Sequence, residues 1–212
     1  MGSTELVPIT LADLTIVPAN RATWADLSAI FSSAAEPRRC GCQYFKTRGW
    51  MWKQATDEQR QDGLREQTNC DDPDAASTTG LVAYLTEGRV PVGWVAVEPR
   101  TAYPRLLGKP TVWRGRDEDS GDDRVWSVTC FVVRKGYRRR GVSYALAAAA
   151  VSYARDNGAR AVEGYAMRTQ PGKEITWGEL YVGAVQVFAE AGFTEVSAPS
   201  VRRVVMRVDF GR

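Results

Sequence analysis

The chain has 212 residues, 44% of them hydrophobic and 25% charged, the composition of one soluble domain able to bury a sizeable core. Its net charge of +3 is too small to argue for a nucleic-acid partner, and the absence of histidine excludes His-based triads, His-ligated metals and a His general base. The four cysteines, Cys40, Cys42, Cys70 and Cys130, lack the doubled C-x-x-C spacing of a zinc ribbon. No metal is expected, and the thiols read as reduced packing groups. No secretory apolar region and no run of membrane-spanning length is present, so a cytoplasmic protein without membrane contact is expected.

In chain order, Thr15 to Pro18 reads as a first strand, and Trp24, Leu27 and Phe31 give the stretch Ala22 to Phe31 a helical spacing. A loop dense in aromatic and sulfur groups follows, from Arg38 to Phe45. Gln54 to Gln67 reads as a polar helix and Asp71 to Thr79 as a turn region. Leu81 to Thr86 and Val90 to Val97, joined by Glu87-Gly88-Arg89, predict an antiparallel hairpin. Strict alternation puts Val92, Trp94 and Ala96 on one face, with Gly93, Val95 and Val97 on the other. Arg100 to Arg124, with Pro104, Pro110 and a charged run, reads as a long and poorly ordered surface insertion. Val125 to Val133 is nearly all apolar, as a central strand buried on both faces would be. Gly141 to Asn157 predicts a helix closed by Asn157-Gly158. Ala159 to Tyr165 is a strand, Tyr181 to Ala191 a helix, and Thr194 to Val196 and Val201 to Phe210 complete the sheet. This order predicts an α/β fold with a sheet of mixed direction. The whole of 1–212 reads as one domain, with 1–80 on one side, 81–133 forming sheet and insertion, and 134–212 completing it.

The segment Phe131-Val132-Val133-Arg134-Lys135-Gly136-Tyr137-Arg138-Arg139-Arg140-Gly141-Val142-Ser143 joins the buried strand to a helix start. A helix N-terminus offers unpaired N–H groups and the positive end of its dipole. Gly141 permits close backbone approach, and Arg138, Arg139 and Arg140 supply positive charge. On the residues alone, an anion site and a tight turn with surface arginines are balanced readings.

The segment resembles the acyl-CoA motif R/Q-x-x-G-x-G/A of the GCN5-related N-acetyltransferase (GNAT) family, with Arg138 and Gly141 in register and Ser143 where the family has Gly or Ala. A second likeness is the helix ending in Gly-Phe, here Tyr181 to Phe193. The resemblance implies a mostly antiparallel central sheet flanked by helices. It also implies a splayed central strand pair, where the backbone of Phe131, Val132 and Val133 pairs with pantetheine and the Arg138–Ser143 turn (Val142 included) holds the pyrophosphate. Acetyl-CoA is then the co-substrate.

Two departures bear on catalysis. Phe188 stands where the family commonly has the Tyr that protonates the departing thiolate, and Tyr181 stands at its Asn position. An alkyl thiol with a pKa of about 8.5 leaves tolerably without an acid, so water suffices, or Tyr181 substitutes. No carboxylate lies on Val125 to Val133. Glu163, in the apolar strand Ala161 to Tyr165, is the candidate base; as an equal alternative it is a structural partner for an arginine. Glu179 suits a helix dipole, and Cys130 as an acyl-carrying nucleophile is the weaker idea. Tyr44, Phe45, Trp50, Trp52 and Trp177 are candidates to line an acceptor pocket, with ordinary core as the alternative for each.

The expectation is transfer of an acetyl group from acetyl-CoA to a primary amine of a small molecule, without nucleic acid; a homodimer is compatible with it. The rivals are a degenerate domain that binds acyl-CoA as a sensor or scaffold, and a nucleic-acid binder using the arginine triplet.

Overall fold

Val125–Val133, the most apolar run of the chain, forms the central strand of a seven-stranded sheet. A computed structural model describes residues 6–169 and 177–211. In chain order the elements are β1 (Leu14–Pro18), α1 (Trp24–Phe31), α2 (Ala35–Cys40), α3 (Gly49–Gln54), α4 (Asp57–Thr68), β2 (Leu81–Leu85), β3 (Val90–Pro99), α5 (Pro104–Leu107), α6 (Pro110–Trp113), β4 (Val125–Val133), α7 (Val142–Asp156), β5 (Ala161–Gly164), α8 (Trp177–Leu180), α9 (Val185–Glu190), β6 (Thr194–Ser200) and β7 (Arg203–Asp209). The sheet order is β1-β2-β3-β4-β5-β7-β6. β4 and β5 run parallel, and the other neighbours are antiparallel.

Each face of the sheet carries its own core. Val142, Leu146 and Ala150 of α7 pack on Val95, Val97 and Val128. Leu27, Ile30 and Phe31 of α1 pack on Trp94, Ala96 and Val132 from the other side. Thr23 starts α1 with a capping box to Asp26, which satisfies two otherwise orphaned donors. Val92 departs from strict alternation and joins the α7 core. The pairing explains it: Ala83 faces Gly93 and Tyr84 faces Pro91, so Val92 is the extra residue of a β-bulge, and the side-chain period resets there.

Two expectations are corrected. The 100–124 segment is not a loose surface excursion. Tyr103, Leu106 and Val112 are buried with Tyr165 and Val205 as a third core, and Arg100 is fully enclosed. Arg116 and Glu118 of its charged run turn inward to the ion cluster at buried Glu163, whereas Arg114, Asp117, Asp119 and Asp123 stay exposed. The helix expected from Tyr181 begins only at Val185. Gly183 has φ +93°, and the carbonyls of Tyr181 and Gly183 accept from Phe131 N (2.6 Å) and Met167 N (2.9 Å) instead of propagating a helix.

Candidate active site

Three structural devices meet at the end of β4. The β4–β5 ladder stops at Val128 and Gly164, while β4 runs on to Val133. The Tyr181–Gly183 turn lies beyond that point, bonded to Phe131 and Met167. The 134–141 loop then leads into α7, whose N-cap is Gly141 at φ +101° with no side-chain cap. Uncapped first-turn N–H groups and the dipole of a 15-residue helix make this a favourable anion position.

The three arginines differ in role. Arg138 turns inward: its Nε donates to the Val133 carbonyl at 3.0 Å, and its positive charge acts on the Tyr181 hydroxyl. Arg140 Nε donates to the Val7 carbonyl at 2.7 Å, tying the loop to the N-terminal segment. Arg139 is exposed, in a left-handed conformation at φ 59°. Gly141 is required for a reason that its sequence context does not show. A Cβ there would lie 2.6 Å from the Ile9 carbonyl, and the Ile9 N–H donates to the Arg140 carbonyl at 2.5 Å. The close approach is therefore to the protein's own backbone.

Beside this loop, a cavity of about 440 Å³ is walled by β4 (Thr129, Cys130, Val132), by Tyr181 and Val182, and by residues from both ends of the chain. Tyr44 and Phe45 line it, as the sequence suggests. Trp50 is exposed, and Trp52 packs outside the lining, against the Tyr44 ring at 5.5 Å and the Arg60 guanidinium at 4.1 Å. The Trp177 side chain lies outside the described residues. Burial pushes the Tyr181 hydroxyl up to about 12 despite the nearby Arg138, so it keeps its proton across the physiological range. Contact with Cys42, together with burial, pushes the Cys130 thiol well up, and burial pushes Cys40 up to about 11. Such thiols stay protonated and are poor nucleophiles at neutral pH.

Glu163 lies away from the cavity lining, fully enclosed. Its Oε1 accepts from Arg207 Nη1 at 3.1 Å and from Arg116, and faces Arg100 Nη1 at 3.5 Å. Its Oε2 accepts from the Tyr165 hydroxyl at 3.1 Å. Glu118 completes the cluster, 3.1 Å from Arg100 and 2.9 Å from Arg207. Phe188, at the position of the family's tyrosine, is fully buried against Phe131 and Phe193 at ring distances of 5.6 and 5.0 Å. Among the described residues, no group of His, Cys, Asp and Glu could hold a metal ion, and no helix is long and apolar enough to cross a membrane.

Sequence reasoning missed the cavity walls from Glu36 and Pro37 of α2, Leu106 and Val112 of the insertion, and Arg203 to Val205 of β7. No local pattern marks them, because they come together only through the sheet order.

Residues 44–170 match the Acetyltransferase (GNAT) family, and the chain belongs to that family, whose members carry out acetyl-CoA-dependent acetyl transfer. Solved structures share the fold. A GCN5-related N-acetyltransferase from Kribbella flavida is 20% identical, with 95% of this chain and 100% of that one covered at a TM-score of 0.55. A GNAT-family acetyltransferase from Streptococcus pneumoniae is 15% identical, with 93% and 99% covered at 0.52. The yncA protein from Salmonella typhimurium, solved with its cofactor acetyl-CoA, is 13% identical, with 93% and 94% covered at 0.50. None of the curated protein sequences matches this chain.

Proposed function

We propose that the protein transfers an acetyl group from acetyl-CoA to the primary amine of a small molecule by direct attack. The observation that carries this is the shared wall: Thr129, Cys130 and Val132 of β4 line the cavity, and the same strand leads into the Arg138–Ser143 loop. A donor held by that loop and an acceptor held in the cavity would therefore meet at the end of β4.

In this reading the first-turn amides of Gly141, Val142 and Ser143, with the exposed Arg139, hold the pyrophosphate, and the end of β4 (Phe131 to Val133) faces the pantetheine arm. The Phe131 N–H is held by the Tyr181 carbonyl, so pairing with the arm at Phe131 requires that hydrogen bond to open. The neutral amine attacks the thioester carbonyl, forming the C–N bond, and collapse of the tetrahedral intermediate breaks the C–S bond. Tyr181 gives its proton to the departing thiolate and regains one from water, which takes up the proton of the new ammonium. Glu163 is unsuited to receive it, since arginines and Tyr165 occupy both of its oxygens. We assign Glu163 to holding the insertion on the sheet.

The test is release of free thiol from acetyl-CoA with a panel of small primary amines. Amine-dependent release supports the reading. Tight acetyl-CoA binding with no release for any amine would favour the sensor or scaffold instead.

A further inference from the structure

The cavity wall is apolar over most of its surface but carries four charged side chains: Glu36, Glu179, Lys109 and Arg203. They are not equivalent. Glu179 is paired with Arg202 at 2.9 Å, so its charge is already compensated. Glu36, Lys109 and Arg203 make no ion pair within 4.0 Å with another described residue, although the charge of Glu179 is felt at Arg203.

These three groups are placed differently. Glu36 reaches across from α2 to α8, just before Tyr181; its Oε1 lies 3.3 Å from where a Cβ on Gly178 would stand, and its charge acts on the Tyr181 hydroxyl. It therefore marks the acyl end. Arg203 opens β7, half-buried, near Glu179 and Tyr44. Tyr44 and Lys109 belong both to the cavity and to an outer groove that also contains Arg48 and Arg105. The cavity thus has a carboxylate near the acyl-transfer point and cations toward its mouth.

A purely apolar amine filling such a cavity would strip water from the Arg203 guanidinium and return nothing for it. Burial already pushes the pKa of Arg203 down, the sign of a charge short of hydration. An anionic group on the acceptor would restore the balance through charge-assisted hydrogen bonds, and guanidinium geometry suits a carboxylate.

We infer that the acceptor is an amine with an apolar carbon skeleton that also carries a carboxylate, its amine end facing Glu36 and Tyr181 and its carboxylate held by Arg203 and Lys109. This rests on the N-acetyltransferase reading above and narrows it from amines in general to amino acids or amino-acid-like acids.

The experiment uses acceptor pairs that differ only in the carboxylate: phenylalanine with phenethylamine, and para-carboxybenzylamine with benzylamine. Thiol release from acetyl-CoA gives kcat/KM for each. The expected result is a preference for the carboxylated member of at least one pair by roughly tenfold or more, the scale of a hydrogen bond to a charged group. Arg203→Leu should bring that ratio toward one, mainly through KM, and Arg203→Lys should keep part of it. Lys109→Ala, at an exposed position, should lower the ratio without risk to the fold. A preference for the decarboxylated members, or a ratio that Arg203→Leu and Lys109→Ala both leave unchanged, overturns this inference while the N-acetyltransferase reading stands. Acetyl-CoA binding without turnover of any acceptor overturns both.

Discussion

The Tyr165 hydroxyl donates to Glu163 Oε2 at 3.1 Å, while the same residue lines the cavity beside β4. The hydroxyl also lies 3.0 Å from Ser127 Oγ. Tyr165 thus joins the cavity wall to the buried ion cluster of Arg100, Arg116, Arg207, Glu118 and Glu163, which anchors the 100–124 insertion. Because Leu106 and Val112 of that insertion form part of the cavity, the cluster supports the site without facing it.

Glu163→Gln should therefore act on stability. Removing one charge from a buried cluster leaves its cations uncompensated, at a cost of about 3–5 kcal/mol. The expected outcome is a clearly lowered melting temperature, with turnover per folded molecule close to wild type. Equal melting temperatures with turnover reduced by roughly 100-fold would restore Glu163 as the general base.

The cluster also predicts an acid limb in stability. Burial alone would raise the Glu118 carboxyl, but hydrogen bonds from Arg116 and Arg207 outweigh it and hold it down at about 2, against an ordinary 4.5. A depressed folded-state pKa means stabilisation that is fully present above the unfolded value and lost as protons are taken up. Denaturant midpoints should fall as pH drops from about 4.5 toward about 2. Glu118→Gln should flatten that dependence.

Acetyl-CoA should stabilise the fold. At a concentration of about 100 times its dissociation constant the gain is about 2.7 kcal/mol. Thermal-shift and calorimetric titrations check this, and silence in both would remove the cofactor from the Arg138–Ser143 loop.

Tyr181→Phe should lower kcat by about 10- to 100-fold at neutral pH, the low end for a lost general acid because a thiolate leaves readily. With the hydroxyl pushed up to about 12, wild type should show no alkaline loss of this acid below about pH 10. An unchanged kcat would assign protonation of the thiolate to water.

Gly141→Ala should be destabilising before it tests any ligand. A left-handed φ costs about 1–2 kcal/mol for a side-chain-bearing residue, and the Cβ meets the Ile9 carbonyl. The melting temperature should fall by about 2–8 °C for a domain of this size. A melting temperature equal to wild type would show that the Ile9 contact is not maintained in solution.

The sequence by itself determined the sheet-forming order, the central apolar strand, the loop into α7 and the family, because each rests on local periodicity or on a motif read within a dozen residues. It also showed that Glu163 sits in an apolar strand, but left base and structural partner as equal readings. Tertiary structure decided what that carboxylate faces. Arg100 and Arg116 come from the 100–124 insertion and Arg207 from β7, and the β4-β5-β7 order brings them to one point at Glu163. The same holds for Gly141, whose neighbour Ile9 is remote in sequence, and for Tyr181, whose expected helical turn is unwound by bonds to Phe131 and Met167. In each case a long-range hydrogen bond or ion pair outweighs a local preference worth less than about 1 kcal/mol per residue, and such partners leave no trace in local spacing.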